Sequence, residues 1–559
     1  MMIPIEFSKE KTVAFAVCVW ALVQAQTAVP VAAAVWQWMA EVPDAVSGET
    51  GELPKAFLWI PPNCERVRAV IVGQHNMEEE PIFEHPTFRK ALAELNIAVV
   101  WVTPNFDPFF RFDLGAGERF NAMMEALANV SGYAELARCP VMPIGHSALA
   151  SYPWNFAAWN PQRTLAAISV SGQWPIWDYE GRPEWDERSI DGVPGLVTIG
   201  EYEWANDRGR EGAKQRSNHP HWPLSMLAEP GGGHFDVSDA KIEYLALYLR
   251  KVCQYRLNGE AGPDGSTTLR QIDPTREGWL VDRWRRDREP QSPSAPVAEY
   301  AGQREDAFWY FDEEHARATE AFGEFGRGKQ VQLLGYMQGG EVLPQVAGTH
   351  QQVTIPFRSL DGGPQFQLTG AFLDVVPAGR PERWTGKKAG ESVSHGDDVE
   401  RIRIERICGP VRQLNANTFE VCVHRLGLNN TKRSSEVWLM ASHPGDNRYR
   451  RSVQQAMLRV PIQNREGADQ EIAFPEISDQ SSGVDEVRLE ATSTAELPID
   501  YFVLYGPAEV DGQRLRLQQI PPQAKYPVEI AVVAWQWGRI AEPMFKTAQP
   551  VSRTFRITR

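Results

Sequence analysis

Three short stretches of the chain hold the residue types from which a nucleophilic centre can be built: GHSA at 145–148, GEYE at 200–203 and GGGHFD at 231–236. Serine is a poor nucleophile until an adjacent imidazole takes its proton. A carboxylate behind the ring fixes its tautomer and stabilises the imidazolium that forms. The candidates are therefore Ser147 for the hydroxyl, His234 for the imidazole, and Glu203, with Glu201 as the alternative, for the carboxylate. Such a set works only if the fold holds the serine at the tip of a sharp strand-to-helix turn and brings the other two to the same edge.

The elements expected around these residues meet that condition. Ser147 directly follows the apolar run VMPI (141–144) and precedes a predicted helix, the two glutamates follow GLVTI (195–199), and His234 follows LSMLA (224–228) through a glycine-rich loop that can turn sharply. Further apolar runs lie at 56–60, 69–73, 97–102 and 166–170, with helical patterns at 85–95 and 118–127 between them. Continuous apolar strands separated by helices predict a parallel sheet covered on both faces. Ser238 is placed to cap a last helix whose buried stripe is Ile242, Leu245, Ala246, Leu249 and Val252. Residues 256–305, rich in Gly, Pro, Ser and charge, read as a linker with little core of its own. A helical segment at 307–325 opens a β-rich domain (306–473), and longer strands with frequent turns follow in 474–559, a β-sandwich texture.

Over about residues 50 to 255 the motifs GHSA, GEYE and GGGHFD, in the chain order serine, acid, histidine, resemble the α/β-hydrolase superfamily. Residues 474–559 resemble a bacterial immunoglobulin-like module. The first resemblance implies an α/β-hydrolase catalytic domain at 26–255, with Ser147 as nucleophile, His234 as general base that later protonates the leaving group, and a glutamate as its orienter. Many members carry the acid three residues after the strand-end glycine, which selects Glu203 over Glu201. Oxyanion donors are expected at the backbone N–H of Ala148 and at Asn76 or Met77, in the loop QHNMEEEP (74–81). Glu78, Glu79 and Glu80 are read as favouring the positive end of a following helix. Leu149 stands where the usual Gly-x-Ser-x-Gly has its second glycine, so the turn is either slightly open or relieved by Ala148 and Ala150. His75 is read as a pocket wall and His146 as a packed residue pointing away. The stretch 173–189 could cover the pocket with Trp174, Trp177 and Trp185 as walls.

Composition narrows the function. A net charge of -15 argues against nucleic acid, whose phosphates need a basic face. Lys9 and Lys11, the apolar run 12–23 and Val23-Gln24-Ala25 have the order of a cleavable signal peptide (1–25), so a secreted or periplasmic protein without a permanent membrane span is expected. Six cysteines include Cys18 in that leader; Cys408 and Cys422 could bridge a hairpin or stay buried thiols. No Cys and His have zinc spacing, and neither metal nor cofactor is expected. The resulting expectation is a serine hydrolase acting on a small-molecule or polysaccharide ester, probed against two alternatives: an exported glycan-binding protein with an idle hydrolase fold, and a peptidase of the same fold.

Overall fold

All seven apolar runs form strands, and one more precedes them. The computed structural model describes residues 35–559 apart from 258, 260–261, 263–264, 347–351 and 429, so the expected leader at 1–25 lies outside the described residues. In chain order the first region comprises β1 (Trp38–Glu41), β2 (Lys55–Trp59), β3 (Ala69–Gln74), α1 (Glu79–Glu84), α2 (Pro86–Leu95), β4 (Ile97–Thr103), α3 (Ala116–Ser131), β5 (Val141–His146), α4 (Tyr152–Trp159), β6 (Ala167–Val170), β7 (Gly195–Gly200), α5 (Ala205–Asn218), β8 (Leu224–Glu229) and α6 (Asp239–Arg256). Every residue of β3, β4, β5, β7 and β8 is buried, which is why these runs carry no polar alternation. Ser238 caps α6, its hydroxyl accepting from the Lys241 N–H.

The strands form one sheet in the order β1-β2-β4-β3-β5-β6-β7-β8, antiparallel at β1/β2 and β2/β4 and parallel from β4 to β8. This is the α/β-hydrolase arrangement. The chain winds outward in one direction after β3 and in the other after β5, so the two strands flank the point where the order reverses. Crevices in open α/β sheets lie there, beyond the carboxyl ends of the strands, and the loops that leave those two ends carry Asn76, Met77 and Ser147.

The rest of the chain is strand-rich, forming further small sheets consistent with β-sandwich domains. Residues 256–305, expected as a linker, are part of the core. Trp279–Asp282 pairs with Ala307–Tyr310, and Leu280, Val297 and Tyr300 join the cluster built on Ile71, Val99 and Trp101. The expected helix at 307–325 is that strand followed by α7 (Glu313–Glu324), capped by Asp312. A second region is built on a four-stranded sheet containing Glu436–His443 and Ser452–Arg459, and it projects the short helix α8 (Arg380–Thr385) toward the first sheet. The last strands, among them Asp500–Tyr505, Val528–Trp535 and Val551–Thr558, share a core cluster with α3 and β3. Cys408 and Cys422 are both free and buried, and burial pushes each thiol up to about 12. Among the described residues no helix is long and apolar enough to cross a membrane.

Candidate functional site

β5 ends at His146, and the next residue turns with φ of +52°, a left-handed conformation that a serine adopts only when its surroundings impose it. A 3-10 turn, Ser147–Leu149, follows, and α4 begins only at Tyr152. That delay is how the elbow accommodates Leu149, which is 2% exposed. The close approach falls instead on Gly145, where an added Cβ would stand 2.1 Å from the Leu149 carbonyl oxygen. Gly145→Ala is accordingly expected to cost roughly 1–3 kcal/mol and to displace Ser147, read as a lower thermal midpoint together with loss of turnover.

His234 stands across this turn, with Nε2 2.7 Å from Ser147 Oγ. Its Nδ1 faces Glu203 Oε2 at 3.5 Å, an ion-pair distance longer than a tight hydrogen bond. Glu203 belongs to the 3-10 turn Glu201–Glu203 after β7 and is 2% exposed. Glu201 points elsewhere: Oε2 accepts from the Gly231 N–H (2.8 Å), and Oε1 pairs with Arg450 (2.8 Å) and Arg286 (2.7 Å). Glu203 is thus the glutamate brought to the imidazole, while Glu201 anchors the loop that delivers His234. His146, fully buried, braces that loop with Nε2 3.0 Å from the His234 carbonyl oxygen.

The loop after β3 is held differently from expectation. The backbone N–H groups of Asn76 and Met77 both donate to Glu79 Oε2 (3.1 and 3.0 Å), and the His146 N–H donates to Glu79 Oε1 (2.7 Å). As oxyanion donors, Asn76 and Met77 would share or exchange those bonds; Ala148 is exposed at the turn itself. His75 is buried, and burial with the nearby Arg433 brings its imidazole down to about 3, so it is neutral in the folded protein.

The three glutamates read as favouring a helix terminus each have a separate task, and all are buried. Glu80 meets Arg406 (3.0 Å) and His424 (2.7 Å) of the β-rich region; burial raises its carboxyl, but the Arg406 guanidinium and these contacts outweigh burial and hold it well below the usual range. Glu78 pairs with Lys241 at 3.0 Å. Glu79 is pushed up by burial, against its backbone hydrogen bonds, from an ordinary 4.5 to about 7. A carboxyl raised on folding binds more protons in the native than in the unfolded chain between those values, so stability from this group falls as pH rises from about 4.5 to about 7. The interval corresponds to about 3 kcal/mol. Glu79→Gln should flatten that part of the stability profile, measured by denaturant midpoints between pH 5 and pH 7.

Sequence reasoning missed the partners that come from the distant β-rich region. Arg380 pairs with Glu203, both arms of Arg451 hold Asp236, the Gln455 side chain accepts from the His234 N–H (3.3 Å), and Arg433 reaches the Asn76 side chain (3.4 Å). No local signal marks these residues, because only the docked regions put them beside the site. Among the described residues no cluster of His, Cys, Asp or Glu is arranged to hold a metal ion.

No family model matches the chain, and no curated protein matches it in sequence. Solved structures do resemble it. Est1E from Butyrivibrio proteoclasticus is 14% identical, with 38% of this chain and 98% of that one covered and a TM-score of 0.25. The S-formylglutathione hydrolase of Staphylococcus aureus is 13% identical, covering 39% and 99%, with a TM-score of 0.26. A dienelactone hydrolase from Anabaena variabilis is 16% identical, covering 39% and 98%, again with 0.26. The sheet order and the turn at Ser147, not these remote likenesses, carry the fold assignment.

Proposed function

We propose that the chain is a serine hydrolase that cleaves a carboxylic ester through an acyl-enzyme. Ser147 attacks the ester carbonyl while His234 takes its proton. The alkoxide leaves with that proton, and a water activated by the same imidazole releases the acid. Glu203 orients the ring. The single observation that carries this reading is the 2.7 Å contact of His234 Nε2 with a serine hydroxyl held at positive φ on the sheet's carboxyl edge.

The proposed substrate class is an ester-linked acetyl, feruloyl or methyl group on a carbohydrate. It rests on a cavity of about 180 Å³ lined by Trp154, Trp174, Trp177, Tyr179 and Trp185, whose walls include neither Ser147 nor His234 and which is proposed to hold the carbohydrate part of the substrate. Aromatic faces offer sugar rings and aromatic acyl groups a large apolar contact at small entropic cost. Export, and the immunoglobulin-like character of the last module, belong to the same proposal.

Turnover of a chromogenic acetate ester by the purified chain, compared with Ser147→Ala, tests the reading. Serine-dependent hydrolysis is the expected result. An inert wild-type protein would favour the idle, glycan-binding alternative, and preference for aminoacyl anilides would move the activity to peptide bonds.

A further inference from the structure

The segment between Phe372 and Arg403 leaves the β-rich region, carries α8, and returns. Its helix is fixed against the turn that bears the acid. The Trp384 ring stacks on Tyr202 with centroids 4.6 Å apart and planes at 26°, and its indole N–H donates to the Tyr202 carbonyl at 3.2 Å. Arg383 pairs with Asp207 at 2.9 Å, and the Arg380 guanidinium lies 4.6 Å from the centroid of the Trp204 ring. Glu382 accepts from the Gly379 N–H (3.0 Å) and so fixes the start of the helix.

From this platform Arg380 Nη1 donates to Glu203 Oε1, while the other oxygen of the same carboxylate, Oε2, faces His234 Nδ1. We propose that Arg380 is a positioning residue for the catalytic centre: it grips Glu203 by one oxygen, aims the other at the imidazole, and sets how strongly that carboxylate favours the imidazolium. The proposal builds on the ester-hydrolase reading above. It also changes the role of the β-rich region, which becomes a part of the catalytic machinery and not an appended binding module.

The electrostatic consequence has a definite sign. Other charged and titratable groups near His234 among the described residues have partners of their own. Asp236 is held by Arg451, Glu201 by Arg450 and Arg286, and the His146 ring, 5.0 Å away, has Glu78 4.0 Å from the Nε2 that also meets the His234 carbonyl oxygen. Arg380 therefore balances the Glu203 carboxylate that faces the base. Without its cation, Glu203 stabilises the imidazolium more strongly, so a higher pH is needed to free the base.

Arg380→Met and Arg380→Gln should each lower kcat about 10-fold or more with little change in KM. Both should move the acidic limb of the kcat/KM profile up by roughly one pH unit. Arg380→Lys, which keeps the charge but not the planar fork, should return the limb toward the wild-type position while recovering kcat only in part. A structural role alone would lower the active fraction and leave the limb in place. An unshifted limb in Arg380→Met or Arg380→Gln, with or without a fall in kcat, overturns the proposal. Histidine-selective NMR titration gives the same comparison without turnover, so the role of Arg380 is decided even if Ser147→Ala shows that the ester-hydrolase reading is wrong.

Discussion

Ser147→Ala is expected to lower ester turnover by roughly 10⁴- to 10⁶-fold, and His234→Ala to do nearly as much. The double replacement should be no worse than the more damaging single one. The reason is that hydroxyl and imidazole, 2.7 Å apart, act as one unit. An alanine at 147 leaves the base with no proton to take, and an alanine at 234 leaves a hydroxyl that ionises too rarely to attack. What survives comes from binding and from oxyanion donors, and it should fall to the rate in water only when those are removed as well. Ser147→Ala should fold, because Ser147 is only half-buried, and His234→Ala, at a buried position, is compared with it for folding. The cycle is measured on one chromogenic ester, with circular dichroism to verify folding. Additive losses, or an active Ser147→Ala, would mean that the serine and histidine do not work together.

Much of this site was legible in the sequence because the sheet that positions it is buried on both faces. Burial on two sides forces continuous apolar runs, and such runs ending in GHSA, GEYE and LAEPGGGH place the side chains at one edge without knowledge of the packing. Trp38–Glu41 escaped because a four-residue edge strand with half its residues covered carries no such run. Residues 256–305 read as a linker because Gly, Pro, Ser and charged residues make up most of their composition. Their buried residues, Leu269, Ile272, Leu280 and Val297 among them, are too sparse to show a period, and the one four-residue strand, Trp279–Asp282, pairs with Ala295–Pro296 and Ala307–Tyr310. The AFWY run before α7 merged with the helix that follows because aromatic residues suit both states. Arg380 and Gln455 lie well over a hundred residues from the residues they touch. Nothing local separates them from surface residues.

The same buried sheet edge makes Lys241 the residue whose loss should most damage stability. Its ammonium is fully buried, 3.0 Å from Glu78 Oε2 and 3.2 Å from Glu229 Oε1, and it donates to the Asp236 carbonyl oxygen at 2.9 Å. Burial alone would depress an ammonium, yet the surrounding carboxylates overcome this and raise Lys241 above its ordinary value. Burial raises Glu78 and Glu229 despite the lysine between them. Lys241→Met therefore leaves two carboxyl groups in a dry site without the ammonium between them, a change of about 3–5 kcal/mol at neutral pH. The deficit should shrink on acidification. Carboxyl groups raised on folding bind protons in the native chain while the unfolded chain still releases them, so lowering the pH toward the ordinary glutamate range neutralises the uncompensated pair and restores stability. Adding Glu78→Gln and Glu229→Gln to Lys241→Met should recover most of the loss at pH 7, since the liability is charge without a partner and not missing volume. Urea midpoints at pH 7 and pH 5 for the single and triple variants measure all of this. Glu229 and Asp236 bracket the loop that presents His234, so Lys241→Met protein that remains folded should also turn over ester more slowly. A midpoint equal to wild type at both pH values would show that the three groups are not charged as their geometry requires.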